Sequence, residues 1–385
     1  MPYTLLRLAT LTTALTATGL LAPAHAASFQ GIGDIAGGSF QSTAHGISAD
    51  GLTVVGQGQG PTSANVAVTW TATTGIKALY STTISGVANK ASANGSVVVG
   101  RDDSFGARAF VYSGSLGFVG GLNPAGNPPN QGRSWSISND GATIVGSVAS
   151  PASTAGEQAF RYTSAGGLVP MGFLGSINNN GISYLSEARD VSGNGSVIVG
   201  FSSSAAGQSA FRWTAATGMT DLGSFSGDTS NYAASAVSTD GNVIVGYSLD
   251  RGGFTWTQVG GMKALSGFTT AAKPLDVNAD GSVIVGSDKV PTSGNTFAVF
   301  WRSGVEFKLK DYLIAQGNTT VAGWDLRVIN GISDDGLTVV GTGIDPAGFT
   351  EGFVASISAV PEPSSAALLA VGVLGGGLLV RRRRA

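Results

Sequence analysis

Cysteine is absent from this chain of 385 residues, so its stability must come from a packed core, which a chain of this length can build. Histidine is almost as scarce, with copies at His25 and His45. Zinc, iron and copper sites of the usual kinds need cysteine or several histidines, so the sequence argues strongly against them. Charged residues make up only 11% of the chain, which is too few for a helical bundle.

Glycine, by contrast, is abundant, at 59 of 385 residues. Together with plentiful Val, Ile and Phe, which argue against a disordered chain, it predicts an all-β fold of short strands joined by glycine turns. The formal charge is −2, and leaving out the five arginines and one glutamate near the two ends leaves 16 basic and 22 acidic residues. No basic patch or arginine-rich helix is present, so nucleic acid is not expected as a partner.

Residues 1–26 have the pattern of a cleavable secretory signal helix. Arg7 precedes an apolar stretch from Leu8 to Leu21, and Ala24-His25-Ala26 supplies small residues at positions −3 and −1. Signal peptidase is therefore expected to cut after Ala26. A transmembrane anchor is the alternative, but the apolar stretch is short, rich in threonine and followed by a cleavage site.

Residues 360–385 form a pattern of three parts. Pro361, Glu362 and Pro363 come first, and an apolar run from Ala366 to Val380 follows, which we expect to be helical. The pattern ends in a cluster of basic residues: Arg381, Arg382, Arg383 and Arg384. The run is marginal as a bilayer span because about 20 apolar residues are needed. The arginines are expected to stay on the cytoplasmic side.

This tail closely resembles the PEP-CTERM sorting signal, whose motif Pro361, Glu362 and Pro363 match residue by residue. The resemblance implies recognition by an exosortase, a membrane transpeptidase-like enzyme, in a Gram-negative bacterium that makes exopolysaccharide. It also implies that the tail anchors the protein transiently in the inner membrane and is then cut away. An ordinary tail anchor with a proline-rich stalk is the alternative.

Residues 27–359 contain seven copies of the segment apolar–Ser–x–Asp/Asn–Gly–x–x–apolar–Val–Gly, with Asn in place of Ser once. The turn glycines are Gly51, Gly95, Gly141, Gly195, Gly241, Gly281 and Gly336, and another glycine follows each of them five residues later. Asp or Asn before Gly favours a β-hairpin, because both residues tolerate positive φ. The third strand of each copy usually places two large side chains at i and i+2, as in Phe211/Trp213. That stripe is typical of a core, and a sugar-stacking platform is the alternative.

Four short strands per roughly 45 residues is the period of a propeller blade, so the repeats predict a seven-bladed β-propeller. Residues Gly31–Ala36 resemble a fourth strand, whereas the last repeat, Glu351–Ser358, ends on its third. We therefore expect the N-terminal strand to complete the last blade and close the ring. An insertion before Ile329 predicts a short helix from Leu309 to Gln316, stopped by Gly317, which would cap one end of the ring.

The repeats also resemble the HAF family of extracellular repeats, named for a His-Ala-Phe in the third strand. Arg108-Ala109-Phe110, Gln158-Ala159-Phe160 and Ser209-Ala210-Phe211 keep Ala-Phe without the histidine. The resemblance implies a propeller-like extracellular fold and no common activity.

Two features of the repeats could carry chemistry. A Ser-His-Asp triad would depend on His45, but no nucleophile-elbow pattern accompanies it, so we interpret it as a strand residue beside a turn. Asp276-x-Asn278-x-Asp280-Gly281 copies the start of a calcium-binding EF-hand loop. Ser287 stands where that loop needs glutamate, and the repeating turn explains the same residues. We therefore predict no catalytic residue, metal site or cofactor.

The sequence as a whole predicts an exported protein of the cell surface or exopolysaccharide matrix. We expect a structural or interaction role, with exopolysaccharide or surface proteins as partners, and no enzymatic activity. The alternative is a propeller hydrolase or lyase that acts on extracellular polysaccharide. A cluster of acids at one end of the central channel would favour that alternative, because glycoside hydrolysis uses paired carboxylates.

Overall fold

The computed structural model describes residues 27–104, 106–122, 131–150, 156–174, 185–204, 207–225, 231–290 and 293–357. The predicted signal helix with its cleavage site at Ala26, the motif Pro361-Glu362-Pro363, the C-terminal helix and the arginine cluster all lie outside these residues. Within the described part of the chain, no helix combines the length and apolar character needed to cross a bilayer.

The strands form seven antiparallel sheets of four strands each. Sheet 7 takes its first strand from the N-terminus, β1 (Phe29–Gly31). Sheets 1 to 3 contain β2 (Ser42–Ile47), β3 (Val54–Gln59), β4 (Asn65–Thr71), β5 (Gly75–Ala78); β6 (Gly86–Ala91), β7 (Val98–Asp102), β8 (Arg108–Tyr112), β9 (Leu116–Phe118); β10 (Gly132–Ile137), β11 (Thr143–Ala149), β12 (Glu157–Thr163), β13 (Gly167–Pro170).

Sheets 4 to 6 contain β14 (Ser186–Val191), β15 (Ile198–Ser204), β16 (Gly207–Thr214), β17 (Gly218–Asp221); β18 (Tyr232–Val237), β19 (Val243–Ser248), β20 (Gly252–Thr257), β21 (Gly261–Ala264); β22 (Lys273–Val277), β23 (Val283–Lys289), β24 (Thr296–Arg302), β25 (Val305–Lys308). The helix α1 (Leu309–Ala315) follows. The rest of sheet 7 is β26 (Asp325–Ile332), β27 (Thr338–Ile344) and β28 (Thr350–Ser356).

Consecutive sheets pack face to face around a ring. Val99 and Ala109 of sheet 2 share a buried cluster with Phe160 of sheet 3. Sheet 1 packs on sheet 7 in the same way, since Ala44 and Trp70 share a cluster with Val340. The described residues therefore form the seven-bladed β-propeller that the repeats predict. The phenylalanines of the third strands, such as Phe211, are fully buried as core residues.

The strand β1 pairs with β28 at the edge of sheet 7, with Phe29 opposite Ala355 and Gly31 opposite Phe353. The predicted closing strand, Gly31–Ala36, is wrong in its bounds and shares only Gly31 with β1. The physical reason is at Gly33, where φ is +77° and the backbone N–H donates to the Glu351 carboxylate at 2.8 Å. A positive φ interrupts the extended backbone, so the strand ladder with β28 goes no further.

The insertion between sheets 6 and 7 holds β1 in place. Its helix α1 ends one residue before the predicted Gln316, and Gly317 follows at φ +83°. The Phe29 ring meets the Trp324 ring edge to face, with centroids 5.0 Å apart. Asn318 Nδ2 donates to the Ala27 carbonyl at 3.2 Å. The insertion therefore clamps the N-terminal strand, a role that the sequence does not predict.

Candidate functional site

One irregularity recurs in the innermost strand of all seven sheets. At one equivalent position of each inner strand, pairing with the second strand skips a residue and so forms a β-bulge; β26 has a second irregularity, at Arg327. The skipped residues are His45, Asn89, Trp135, Arg189, Ser235, Leu275 and Asn330. All seven line one cavity of about 260 Å³ in the central channel. A bulge re-aims side chains, and here it directs one residue of every blade to the same space.

The second repeated glycine of each copy explains how the bulge fits. At Gly200, an added Cβ would lie 1.9 Å from the carbonyl oxygen of Glu187 on the inner strand. The same clash occurs at the other six positions, at 1.9 to 2.2 Å from the inner-strand carbonyl: Gly56, Gly100, Gly146, Gly246, Gly286 and Gly341. Only glycine leaves room for the bulged backbone, so these glycines position the channel residues.

Trp135 and Arg189, from neighbouring blades, form the aromatic and cationic part of the cavity wall. The Arg189 guanidinium lies 4.6 Å from the centre of the Trp135 ring and 5.4 Å from that of Phe201. Arg189 also pairs with Glu187, a buried carboxyl whose pKa is raised mainly by burial, although Arg189 and Arg133 oppose the shift. Stacking and pairing together fix the orientation of the guanidinium.

Neutral polar groups complete the wall. Asn89 Nδ2 donates to Ser134 O at 2.9 Å, and Asn330 Nδ2 donates to Ala44 O at 2.7 Å, so each amide is fixed by the next blade. His45 shares a 2.9 Å hydrogen bond with the Thr43 hydroxyl. Burial, and secondarily the Arg101 charge, lowers the pKa of His45 to about 4, so its ring is neutral at pH 7.

The floor of the cavity is a buried ionic group. Lys90 Nζ lies 3.0 Å from Asp276 Oδ2, and Ile332 N–H donates to the same oxygen at 3.1 Å. Asp190 accepts from the Ser136 hydroxyl at 2.6 Å and from Val237 N–H at 2.9 Å. Burial alone would lower the pKa of Lys90, but Asp276 and Asp190 outweigh it and raise that pKa. Burial raises the pKa of Asp190, against the attraction of Lys90.

Below the floor, the repeated turns close a ring of backbone hydrogen bonds from blade to blade. Seven bonds of 2.9 to 3.2 Å link each turn to the next, and the last runs from Asp334 N–H to Ala49 O. The Asp334 carboxylate then spans the opening, accepting from Asn139 and Thr239 at 2.8 Å each. The space left above it is a pocket of about 30 Å³. The described residues therefore obstruct this end of the channel, and we expect a ligand to enter from the other mouth.

The remaining candidates from the sequence fall differently. His45 is a strand residue beside a turn, as interpreted, but its place in the cavity was not foreseen. The calcium-like residues are not gathered on a common point: Asp276 faces Lys90, Asn278 Oδ1 accepts from Val283 N–H, and Asp280 Oδ1 accepts from Ser282 N–H. Across the described ranges, no three Asp, Glu, His or Cys side chains are grouped as metal ligands.

Sequence reasoning missed the cavity residues, although a signal for them exists. Each bulge residue lies six positions before its turn glycine. While the Ser, Asp/Asn and Gly positions of the repeat stay nearly constant, this position holds six different residue types in seven copies. Variation at this one position is expected if the repeat builds a constant scaffold and the bulge residues give the cavity its particular lining.

Comparison with known proteins identifies the tail. Residues 359–384 match the PEP-CTERM protein-sorting motif, so the tail is a PEP-CTERM sorting signal, as predicted. This signal marks an exported, cell-surface-associated protein of a Gram-negative bacterium, sorted by an exosortase. No curated protein matches the sequence.

Solved structures resemble the propeller at low identity. Virginiamycin B lyase from Staphylococcus aureus is 12% identical, with a TM-score of 0.51 over 87% of this chain and 100% of that one. Oligogalacturonate lyase from Vibrio parahaemolyticus is 10% identical, with a TM-score of 0.51 over 88% and 98%. TolB from Acinetobacter baumannii is 10% identical, with a TM-score of 0.40. The alignment covers 68% of this chain and 64% of the TolB chain, which is less than two thirds of TolB. The two likenesses above 0.5 bear on the fold alone.

Proposed function

We propose that this protein is a non-catalytic component of the cell surface or exopolysaccharide matrix that binds a glycan at the open mouth of its channel. The observation that carries the proposal is the convergence of seven bulge residues, one from each blade, on a single cavity. Pockets for small ligands are concave and combine apolar or aromatic walls with a few fixed polar groups. The cavity has both kinds of group.

A sugar fits the chemistry of this wall. Trp135 is the aromatic ring of this wall, with the Arg189 and Arg133 guanidinium groups 4.6 and 5.6 Å from its centre, and aromatic rings pack well against the apolar face of a sugar. Asn89, Asn330 and neutral His45 are polar groups without charge, suited to hydroxyl groups. A folded protein partner would need about 800 Å² of contact surface, far more than this cavity presents. The cavity therefore supports a glycan over a surface protein as the ligand.

The finer steps of export are part of the same proposal. Signal peptidase cuts after Ala26, the C-terminal helix anchors the chain transiently in the inner membrane, and exosortase removes the tail beyond the motif. Closure by β1 then holds the mature ring together, with the seven blades as HAF-type repeats. The mass of the exported protein tests the two cuts: retention of residues 1–26 or 366–385 would contradict them.

A polysaccharide hydrolase or lyase is the second candidate, because Asp190 and Asp276 lie together at the cavity floor. Carboxyls with perturbed pKa in a cleft are candidates for catalysis. Here, however, both Asp190 oxygens and both Asp276 oxygens accept internal hydrogen bonds, which supports a structural role for the acids. Incubation with matrix polysaccharides decides this: new reducing ends or unsaturated sugars, abolished by Asp190→Asn, would establish an enzyme.

Binding is tested with a glycan array on residues 27–357, which form one compact unit. We expect binding to a subset of glycans, and loss of that binding in Trp135→Ala. The control is Phe268→Ala, which removes an exposed aromatic ring that does not line the cavity. Thermal unfolding of both variants separates lost binding from lost fold. Equal binding by Trp135→Ala and the wild type would overturn the channel mouth as the site.

A further inference from the structure

The cavity is blind, and this limits how a polymer can use it. Its floor is the group Lys90, Asp190 and Asp276, and the turn ring with Asp334 lies beneath. A chain cannot thread through the channel. A volume of about 260 Å³ is also slightly below the roughly 300 to 1,000 Å³ typical of small-molecule pockets. A cavity of this size has room for about one sugar residue, which would have to be a chain end or a branch.

The two cations of the cavity have different surroundings. Lys90 is held at the floor by Asp276, with Asp190 close by, so its charge is neutralised inside the protein. Arg189 stands on the wall, where Glu187 is its one acidic partner among the described residues. Its guanidinium lies over the Trp135 and Phe201 rings. Arg189 is thus the cation placed to meet a ligand that stacks on Trp135.

A guanidinium is the side chain best suited to bind a carboxylate, because its planar fork can donate two parallel hydrogen bonds. Stacked on aromatic rings and paired with Glu187, the Arg189 fork is already oriented before a ligand arrives. The fixed amides of Asn89 and Asn330 supply neutral polar groups for hydroxyls on the same residue. Aromatic face, fixed fork and fixed amides together describe a site for a carboxylated sugar.

We propose that the open mouth of the channel captures a terminal or branch residue of an acidic glycan, with Arg189 binding the sugar carboxylate and Trp135 packing on its ring. This inference rests on the proposed glycan-binding function and specifies the ligand. A sulfate ester is the competing anion, so the experiment includes both.

The experiment is calorimetric titration of residues 27–357 with three matched oligosaccharides, which end in glucuronate, glucose or glucose sulfate. The wild type is expected to bind the glucuronate end at least about tenfold more tightly than the glucose end. Arg189→Gln should remove this preference, because it weakens binding of the glucuronate end more than binding of the glucose end. Arg189→Lys should keep only part of it, because lysine lacks the fork. The matched control is Arg212→Gln, on the third strand of the same blade and outside the cavity lining.

Each outcome separates this inference from the function on which it rests. Equal affinity of the wild type for the glucuronate and glucose ends, or a loss in Arg189→Gln that is the same for both, would overturn the carboxylate assignment while leaving glycan binding intact. Preference for the sulfate end would show an anion site of another chemistry and would also overturn it. Failure of every glycan to bind would overturn the proposed function itself. If Arg189→Gln unfolds, the Arg189→Lys comparison carries the test.

Discussion

The seven bulge-facing glycines show how one residue type shapes the channel. Each lies against the inner-strand carbonyl two residues before the bulge residue and has no room for a Cβ, and in four blades a phenylalanine ring also lies within 3 Å of the added atom: Gly100, Gly146, Gly246 and Gly341. None of the seven has positive φ, so the constraint is contact rather than backbone conformation. Their recurrence in the sequence marks the bulge, which in turn presents a variable residue to the cavity.

Gly200→Ala should therefore destabilise the propeller. The added methyl must displace the Glu187 carbonyl, 1.9 Å away, and overpacking of this kind costs about 1 to 3 kcal/mol. Chemical denaturation measures the free energy of unfolding. Gly117→Ala is the control, because its Cβ would meet nothing nearer than 3.5 Å. Equal stability of the two variants would contradict the steric account of the repeated glycine.

Lys90 supplies the positive charge that balances the buried carboxyls of Asp276 and Asp190 at the cavity floor. Its replacement leaves Asp276 and Asp190 without a compensating charge, so Lys90→Met should lower the free energy of unfolding by about 3 kcal/mol at neutral pH. Burial already raises the pKa of Asp190, and the variant raises it further. When the pKa of a carboxyl is higher in the folded state than in the unfolded state, folding favours the protonated form. The free energy of unfolding then falls as pH rises.

Denaturation at about pH 5 and about pH 8 tests this linkage. The deficit of Lys90→Met should be larger at the higher pH, because the raised pKa of Asp190 makes its ionised form the costlier one to keep buried. Lys77→Met, on the exposed outer strand β5, is the control and should change little at either pH. A deficit that shrinks with rising pH would contradict the assigned role of Lys90.

At the scale of elements, the sequence predicts what depends on local pattern. The repeated Asn/Asp-Gly turns and apolar strands indicate the sheets, and Gly317 indicates the end of α1. Features that depend on contacts between residues distant in sequence cannot be predicted in this way. The bounds of β1 depend on the Glu351 carboxylate, which accepts from Gly33 N–H, and the bulge depends on a glycine in the neighbouring strand that leaves room for an inner-strand carbonyl. The cavity requires residues from all seven blades, so no local window shows it.

The insertion acts as a clamp on β1, and Phe29 is the contact that tests this. Its ring is 9% exposed and meets Trp324 and Phe353 at centroid distances of 5.0 and 5.6 Å. Phe29→Ala should lower the free energy of unfolding by about 3 kcal/mol. Phe118→Ala, at a ring that is 42% exposed, should cost clearly less. A smaller loss for Phe29 than for Phe118 would show that β1 does not secure the ring.

The loop between β21 and β22 is attached to sheet 6 by acidic side chains. Phe268 N–H donates to Glu306, and the Thr269 N–H and hydroxyl donate to Asp288. Burial, with Asp288 adding to it, raises the pKa of Glu306 to about 7, although Phe268 N–H and Lys308 oppose the shift. Because the folded state favours the protonated form, Glu306 lowers stability as pH rises from its usual 4.5 through 7.

Glu306→Gln keeps this side chain neutral at every pH. We therefore expect it to reduce the fall in unfolding free energy between about pH 4.5 and about pH 8, measured by denaturation across that range. At the low end of the range the variant and the wild type should have similar stability. An unchanged slope would show that Glu306 is not the group responsible.

At the scale of the whole molecule, the tail concerns where the protein is located, and the propeller concerns what it can bind there. The PEP-CTERM signal directs the protein to the cell surface. The propeller has a channel that is obstructed at one end and opens at the other into a cavity lined by every blade. A surface protein whose described residues form a cavity obstructed at one end is suited to hold a ligand, and the sequence repeats provide a frame for it.

Binding of a labelled acidic glycan to intact cells tests this account most directly. Cells that display the wild-type protein should retain the glycan, and cells that display equal amounts of Trp135→Ala, measured with an antibody, should not. Cells in which Pro361, Glu362 and Pro363 are replaced by alanine should lose both display and retention. Undiminished retention by cells displaying Trp135→Ala would contradict the account.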